Sequence, residues 1–360
     1  MCHNGLPATA GRQATYPPHV SRLSYIARRL LLAIPTFLGI TLVCFALTRI
    51  LPGGPVEMRL ARLRGIGGAE GASGRMASVS EEQRVELVRQ FGFDRPIPVQ
   101  YANWLFRDAM GLRMASYDYP ERTAGELIAS RIPISLWFGI TGFLLSYLVC
   151  IPLGMAKAVR SGSRFDFATS LVVFAGYALP TFALGTLLKL LLCGTIDGLP
   201  QLFPLGGVES LSIPAGSAFA DRLHHMVLPV ACYVAGSFAM LTLMMKNSLL
   251  EQISADYVRT AIAKGATPSR ALWGHAFRNS LIPIATGFGS IFSLLFAGSV
   301  IIERIFEIPG MGRLSLDALA SHDYAVFMAI LAVTSLFQLL GNLLSDCCYM
   351  LIDPRIHFGK

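Results

Sequence analysis

The chain has 360 residues, of which 53% are hydrophobic and only 14% are charged, whereas ordinary soluble domains carry about 25% charged residues. This deficit, with a mean hydropathy of +0.55, excludes an ordinary soluble fold and predicts a polytopic membrane protein. The formal net charge of +8 fits basic loops on one membrane face, and no aromatic-and-basic pattern typical of nucleic-acid binding occurs.

Six segments are long and apolar enough to span a bilayer, which requires about 20 mainly apolar residues. They run roughly over Leu30–Leu51, Ile134–Met155, Phe167–Cys193, Met226–Met245, Ile284–Ile302 and Ala325–Leu351. The predicted fold class is therefore an all-α membrane protein with six transmembrane helices. Pro35, Pro152 and Pro180 lie inside these segments and permit kinks.

Lysine and arginine are concentrated in the loops on one side of these segments. That side carries Arg22, Arg28, Arg29, Lys157, Arg160, Arg164, Lys246, Arg259, Lys264, Arg270, Arg278, Arg355 and Lys360. The positive-inside rule therefore places both termini in the cytoplasm. The long first loop on the other side also contains arginines, but loops of more than about 60 residues translocate regardless of charge.

This topology divides the chain into five parts. They are a cytoplasmic N-terminal tail (1–24), transmembrane helix 1 (25–51), a periplasmic loop with a small helical subdomain (52–133), a five-helix core that includes a cytoplasmic loop at 246–283 (134–352), and a cytoplasmic C-terminal tail (353–360).

The long first loop changes composition along its length. Residues 53–80 are rich in glycine, and we expect them to be flexible. Ser80, followed by Glu81, Glu82 and Gln83, matches a helix-capping box. Tyr101, Trp104, Leu105 and Phe106 then repeat at helical spacing. This spacing favours a small packed lid on the outer face, with a peptide-binding patch as the alternative.

The sequence carries no recognisable catalytic or metal site. It has no phosphate-binding loop of the form G-x-x-x-x-G-K-[ST] and no hydrolase or zinc motif, so we expect no catalytic residue and no cofactor. We interpret His224 and His225 as an interfacial pair rather than a metal site. Seven cysteines indicate neither a disulfide framework nor a zinc site.

Charged residues are nearly missing from the apolar segments. Arg49 and Lys189 lie near segment ends, where their side chains are expected to extend towards lipid headgroups. Asp346 lies towards the cytoplasmic end of the sixth segment, and Asp353 follows it. An ion-coupled secondary transporter, a membrane enzyme and an assembly factor remain as alternatives, although the sequence offers little chemistry for any of them.

The loop at 246–283 has the most specific local pattern. Residues 247–264 have helical periodicity, and Gly265 is a natural stop because glycine adopts positive φ without strain. Thr267 then caps a second helix with Pro268 at its first position. These features predict a helix, a tight turn and a short helix that project as a knob. The alternative is an ordinary amphipathic loop.

Within this loop, Tyr257–Gly265 resembles the EAA loop of ABC-importer permeases, in the variant of the oligopeptide and dipeptide subgroup. Ala261 and Gly265 match the second alanine and the glycine of that motif, whereas Arg259 and Thr260 replace its glutamate and first alanine. Further resemblances lie at Arg28–Pro35, Leu51–Pro55, Phe91–Tyr101, His275–Asn279, Glu303–Gly312 and Asp353–Ile356. The Gly-rich insert and Ser161–Asp166 resemble the YejB-type permeases, which are associated with oligopeptide and microcin C uptake.

The resemblance implies a type I importer fold in a bacterial inner membrane. It implies a heterodimer with a second, homologous permease, two cytoplasmic ATPase subunits that hydrolyse ATP, and a periplasmic substrate-binding protein. Peptides would then move from periplasm to cytoplasm, although related permeases move nickel or glycosides. The residues expected to contact the ATPase are Arg259, Thr260, Ala261, Ala263, Lys264, Gly265 and Ala266. The pattern indicates no substrate-binding residue.

Overall fold

The computed structural model describes residues 22–50, 85, 94–210, 217–285 and 299–352. Over these residues the chain is helical, and its extended pairings are two isolated bridges, Ala115 with Thr123 and Cys193 with Gln201. The predicted all-α class is therefore confirmed for the described part of the chain.

Long helices alternate with short ones along the described part of the chain. They are α1 Arg22–Ile50, α2 Ile97–Ala102, α3 Ala124–Val159, α4 Arg164–Ala178, α5 Thr181–Leu192, α6 Ala218–Ser254, α7 Asp256–Ala263, α8 Pro268–Ala271, α9 Phe277–Ser280, α10 Ile282–Ala285, α11 Val300–Ile305, α12 Met311–Ala320 and α13 Tyr324–Ile352. The π-helical turns Asn103–Arg107 and Leu272–Ala276 continue α2 and α8.

Four of these helices, α1, α3, α6 and α13, are long and apolar enough to cross a membrane. Helices α4 and α5 qualify only as a pair, which would bring the spans within the described ranges to five. The expected fifth segment, Ile284–Ile302, falls largely on residues outside those ranges. Its existence, the total of six and the cytoplasmic termini therefore stay predictions.

The expected third span is not one straight helix. The axes of α4 and α5 meet at 93°. Leu179 is extended at the bend, with φ −86° and ψ 117°, because a following proline disfavours the helical conformation. Pro180 then precedes α5, where its missing N–H leaves no hydrogen bond unmade. The proline that permitted a kink therefore divides the predicted run of Phe167–Cys193 into two helices.

Helix α3 begins ten residues before its predicted start, at Ala124 instead of Ile134. A capping box explains the difference. The backbone N–H of Glu126 donates to the Thr123 hydroxyl at 3.2 Å, and the Thr123 N–H donates to the Glu126 carboxylate at 3.3 Å. The polar first turns of α3 therefore belong to the helix and not to the preceding loop.

Helices α3 and α6 form the centre of the bundle, and two glycines on α3 let them approach closely. A Cβ atom on Gly142 would lie 2.6 Å from a ring carbon of Tyr233, and one on Gly154 would lie 2.6 Å from the Cβ of Met245. Small residues at membrane-helix contacts have this effect. A larger residue at either position would force the two helices apart.

Helix α3 also defines the two ends of the bundle. Its first turns pack against α12 and α13 through Ala124, Leu127 and Met311, and we name this the α12 end. Its last turn packs against α7 through Ala158 and Val258, and we name this the α7 end.

The aromatic residues of the predicted lid divide into two groups. Tyr101 and Trp104 pack with Phe45 of α1, as the helical spacing predicts, and Leu105 joins this cluster. Phe106, which was expected in the same group, is 79% exposed. The expected capping residues at 80–83 lie outside the described residues.

Candidate coupling site

The candidate site begins where α6 ends. Helix α6 runs from Ala218 to Ser254, and Ala255 then adopts an extended conformation with ψ 146°. Helix α7 starts at Asp256, whose carboxylate is favourably placed at a helix N-terminus. The prediction of one continuous helix over 247–264 was therefore wrong. Serine and aspartate on either side of the break favour helix ends over helix interiors, which was the signal for it.

Helix α7 ends in a Schellman motif at Gly265. The Gly265 N–H donates to the Ile262 carbonyl at 2.9 Å, and the Ala266 N–H donates to the Ala261 carbonyl at 3.1 Å. Gly265 has φ +94°, and a Cβ atom there would meet nothing within 4 Å. Glycine is required here by the backbone angle and not by lack of space, so the predicted stop is confirmed.

The second helix begins as the sequence predicts. Thr267 is extended and its hydroxyl accepts a hydrogen bond from the Arg270 N–H at 3.3 Å, while Pro268 occupies the first helical position. The chain then continues through the π-helical turn Leu272–Ala276 into α9. The result is the helix, tight turn and short helix that the pattern indicated.

This knob, residues 256–280, is fixed to the end of α6. Val258, Ala271 and Ala276 are buried against Met245 and Leu249 of α6. In addition, the buried hydroxyl of Ser248 donates to the carbonyl oxygen of Ser280 at 3.0 Å. A force applied to the knob would therefore reach α6 directly.

The seven residues predicted to contact another subunit all lie at the accessible surface of the knob. Five are exposed and two are half-buried: Arg259, Thr260, Ala263, Lys264 and Gly265, then Ala261 and Ala266. The ion pair of Arg259 with Asp256 spans 3.8 Å between two exposed side chains, so it constrains the arginine little.

Three exposed apolar side chains of the same knob were missed by the sequence reasoning. Tyr257 is 38% exposed, Ile262 is 45% exposed and Trp273 is 54% exposed. The sequence did indicate them. A short loop helix buries only one face, so some of its large apolar residues must face outwards. The knob thus presents basic, small and apolar groups together, which suits contact with another protein.

A buried ionic cluster lies between α3, α4 and α6 at the α7 end. Lys246 donates to both carboxylate oxygens of Asp166 at 2.8 Å, and the Lys157 ammonium lies 3.1 Å from the same carboxylate. Lys157 is fully buried and also donates to the hydroxyls of Thr169 and Ser170. The prediction that Lys157 lies in a loop after the second segment was therefore wrong, because it belongs to the last turn of α3.

Two further charges in the apolar helices have partners within the protein. The Lys189 ammonium donates to the Ile305 carbonyl at 2.8 Å and to the Glu307 carboxylate at 3.1 Å, so its side chain does not extend to headgroups as expected. Asp346 pairs with the guanidinium of Arg29 on α1 at 2.8 Å. The side chain of Arg49 lies outside the described part of the structure.

The histidine pair contacts backbone atoms. His224 Nε2 lies 2.9 Å from the Leu202 carbonyl, and His225 Nδ1 lies 3.1 Å from the Asp221 carbonyl. Among the described residues, no three His, Cys, Asp or Glu side chains are grouped to hold a metal ion.

Comparison with known proteins places this architecture in a family. Residues 150–358, which include the whole knob, match the family described as binding-protein-dependent transport system inner membrane component. The chain belongs to this family. The ABC transporter permease YejB of Escherichia coli O157:H7 is 36% identical, over 93% of this chain and 99% of its own length. The peptidoglycan transport permease YejB of Agrobacterium fabrum is 35% identical, over 94% and 99%.

A third relative extends the comparison beyond the YejB proteins. The dipeptide transport system permease DppB of Escherichia coli K12 is 33% identical, over 94% of this chain and all of its own length. The chain is therefore a multi-pass permease subunit of an inner-membrane ABC importer. In such importers ATP is hydrolysed by a separate subunit, and a binding protein delivers the substrate.

Proposed function

We propose that this permease carries peptides from the periplasm to the cytoplasm. Relatives that match it over nearly their whole length are named as dipeptide, di/tripeptide and oligopeptide permeases. The name of the Agrobacterium relative extends the class to peptidoglycan. A substrate class of peptides, including those cut from cell walls, is consistent with all of these names.

The proposed assembly is a heterodimer of this chain and a second, homologous permease, with two ATPase subunits and one binding protein. Each permease would have six spans and cytoplasmic termini. The α7 end is then cytoplasmic and the α12 end periplasmic. The basic residues Arg259, Lys264 and Arg270 on the knob support this orientation through the positive-inside rule.

Within this assembly, the knob is the contact with the ATPase. The observation that carries this assignment is that α7 and the turn after it present all seven expected contact residues at the surface, while Val258, on the other face of α7, is buried against α6. A surface that is accessible on one side and fixed to a long membrane helix on the other can transmit a displacement.

The proposed mechanism is a rigid-body switch driven by another subunit. When the ATPases close on ATP, they draw the knobs of the two permeases together. Helix α6, with 37 residues, moves with the knob, and α3 follows because the two are in close contact at Gly142 and Gly154. The bundle then opens towards the binding protein and accepts the peptide.

Replacement of Gly265 by aspartate tests the coupling assignment. We expect Gly265→Asp to insert in the membrane and to pair with the second permease, but to lose substrate-stimulated ATP hydrolysis and peptide uptake. The measurement is ATPase activity and uptake by the purified complex in proteoliposomes.

Gly198→Asp is the matched control for this experiment. Gly198 also has positive φ, of 88°, and open space around its Cβ position, but it lies in the turn after α5, away from the knob. It should retain coupling. Equal loss in both variants would show that backbone strain explains the result, and normal uptake by Gly265→Asp would refute the assignment.

A binding assay tests the substrate class separately. The partner binding protein should bind peptides in isothermal titration calorimetry, and the reconstituted complex should take up the same peptides. Tight binding of nickel or a glycoside, with no binding of peptides, would overturn the peptide proposal while leaving the coupling result intact.

A further inference from the structure

The segment Ile97–Arg107, formed by α2 and its π-helical turn, is apolar on two opposite faces. One face consists of Tyr101, Trp104 and Leu105 and is turned into the protein. Gln100, Asn103 and Arg107 leave the segment polar elsewhere, so its apolar residues form two separate faces. The second apolar face is exposed in the protein and must be covered by lipid or by another protein.

The inner face is fixed to α1. The hydroxyls of Tyr101 and Thr41 lie 2.8 Å apart, and the Tyr101 hydroxyl donates to the Leu38 carbonyl at 3.3 Å. Trp104 is only 5% exposed, and its ring centre lies 6.0 Å from that of Phe45. These contacts fix the level of the segment along α1.

The segment therefore contacts α1 within its apolar span, some way before the end of that span. Thr41 precedes Arg49, the charged residue near the end of this apolar span, by eight residues, or about 12 Å at 1.5 Å per residue. Helix α13 gives an independent estimate, because Trp104 clusters with Met328 and Ala332. These residues follow Tyr324, where that span begins, by four and eight residues, or about 6 to 12 Å.

The opposite face presents Val99, Ala102 and Phe106 at spacings of three and four residues. All three are exposed, with Val99 at 44% and Phe106 at 79%. The neighbouring part of α1 is also exposed and apolar at Leu42, Val43 and Leu47. Because α1 spans the membrane with this surface, the face of the segment continues a surface that contacts lipid.

We propose that Ile97–Arg107 is an interfacial anchor whose Val99–Ala102–Phe106 face contacts the acyl chains of the leaflet at the α12 end. Exposed arginines, Arg95 and Arg107, flank it and suit lipid phosphates. Tyrosine and tryptophan on its inner face are the residues favoured at this depth. Helices of this kind lie with their apolar face about 5–10 Å into the boundary of headgroups and acyl chains, a range that overlaps the depth estimated from α13.

The anchor has a consequence for the domain organisation. It ties the long loop after α1 to the bilayer, and through Met110 and Met114 of the same cluster it ties the turn before α3 as well. The surface around this turn is therefore held at a fixed height above the membrane, independently of the coupling site at the other end of the bundle.

Photo-crosslinking from position 106 tests the proposal directly. A benzophenone derivative of phenylalanine replaces Phe106 in the full chain, at a position whose 79% exposure leaves room for the added ring. The chain is assembled with its partner subunits in nanodiscs of phosphatidylethanolamine and phosphatidylglycerol. We expect illumination to add the mass of a phospholipid to the peptide that carries position 106.

Tyr119 provides the matched control, because it is also an exposed aromatic residue at the α12 end, at 59%. The backbone N–H of Tyr119 donates to the Ser116 hydroxyl, which in turn donates a hydrogen bond to Asp323. Asp323 immediately precedes α13, so Tyr119 lies beyond the end of the span that α13 forms. The same amino acid at position 119 should form no lipid adduct.

The remaining outcomes all overturn the proposal. They are a crosslink from position 106 to the second permease, to the binding protein or to residues 51–93 of this chain, and recovery of position 106 without any adduct. A second probe at Val99 repeats the test at an independent site if replacement of Phe106 prevents assembly.

Discussion

Ser116 and Asp323 lie 207 positions apart in the sequence, and the serine hydroxyl donates a hydrogen bond to the aspartate carboxylate. The same carboxylate oxygen accepts the backbone N–H groups of Tyr117 at 2.9 Å and Asp118 at 3.3 Å. The other oxygen accepts the N–H of Val326 and so caps α13. One buried carboxylate therefore joins the turn before α3 to the start of the last helix.

Loss of this carboxylate should destabilise the protein at the α12 end. Asp323→Ala removes four hydrogen bonds to a side chain that is 2% exposed, and we expect a loss of about 3 kcal/mol in the free energy of unfolding. Thermal unfolding in detergent, followed by size-exclusion fluorescence, measures the change. Asp317→Asn at the same end is the control, because Asp317 is 51% exposed and pairs with the exposed Arg304 and the half-buried Arg313 at its surface. Equal effects of the two substitutions would contradict the assignment.

The ionic cluster at the α7 end leads to an asymmetric prediction. Asp166→Asn leaves the buried Lys157 without a counter-charge, which should cost about 3–5 kcal/mol. Lys157→Met should cost only about 1–2 kcal/mol, because Asp166 keeps both hydrogen bonds from Lys246. The double variant, Lys157→Met with Asp166→Asn, should be more stable than Asp166→Asn alone. Unfolding temperatures of the three purified variants decide this, and the reverse order would refute it.

The sequence predicted the local structure of the knob more completely than its surroundings. Gly265, Thr267 and Pro268 act on their own backbone or on residues within a few positions, so their roles can be derived from the neighbouring residues in the sequence. The apolar runs likewise located the four long helices α1, α3, α6 and α13 and the α4–α5 pair, because hydropathy depends on composition alone. The break at Ala255 and the early start at Thr123 also had local signals, in Ser254 and Asp256 and in the capping box with Glu126.

The partners of buried charges could not be derived in this way. Lys157, Asp166 and Lys246 belong to three helices, and nothing near Lys157 in the sequence distinguishes a buried ammonium from a basic loop residue. The hydrogen bond from Lys189 to the Ile305 carbonyl could not be derived either, because it joins residues that are 116 positions apart. Such pairs depend on how helices pack, which periodicity does not specify.

Lys189 should stabilise the contact of α5 with α11 mainly through the main chain. Lys189→Met leaves the Ile305 carbonyl without its donor, and we expect a loss of about 1–2 kcal/mol. Glu307→Gln keeps that hydrogen bond, and because Glu307 is 58% exposed its ion pair should contribute less than about 1 kcal/mol. Thermal unfolding compares them. A larger effect of Glu307→Gln would show that the ion pair, and not the carbonyl contact, holds the two helices together.

Glu303 should make stability depend on pH. It lies in α11, outside the spans identified above, and is 1% exposed beneath Gly310, whose Cβ position would lie 2.6 Å from its carboxyl group. Burial raises the pKa of Glu303 from its ordinary value of 4.5 to about 7, although the Arg313 N–H donates to it at 2.7 Å. Between these values the folded state holds a proton that the unfolded state has released.

The free energy of unfolding should therefore fall as pH rises from about 4.5 to about 7, by up to about 3 kcal/mol, and stay level above that range. Glu303→Gln cannot ionise and keeps an oxygen to accept the Arg313 N–H, so its stability should vary less over the same pH range. Unfolding measured at pH 5 and pH 8 for both proteins tests this, with Asp317→Asn as the control that should retain the full dependence. An unchanged dependence in Glu303→Gln would show that the carboxyl group is ionised in the folded protein throughout, with its charge stabilised by the N-terminus of α12.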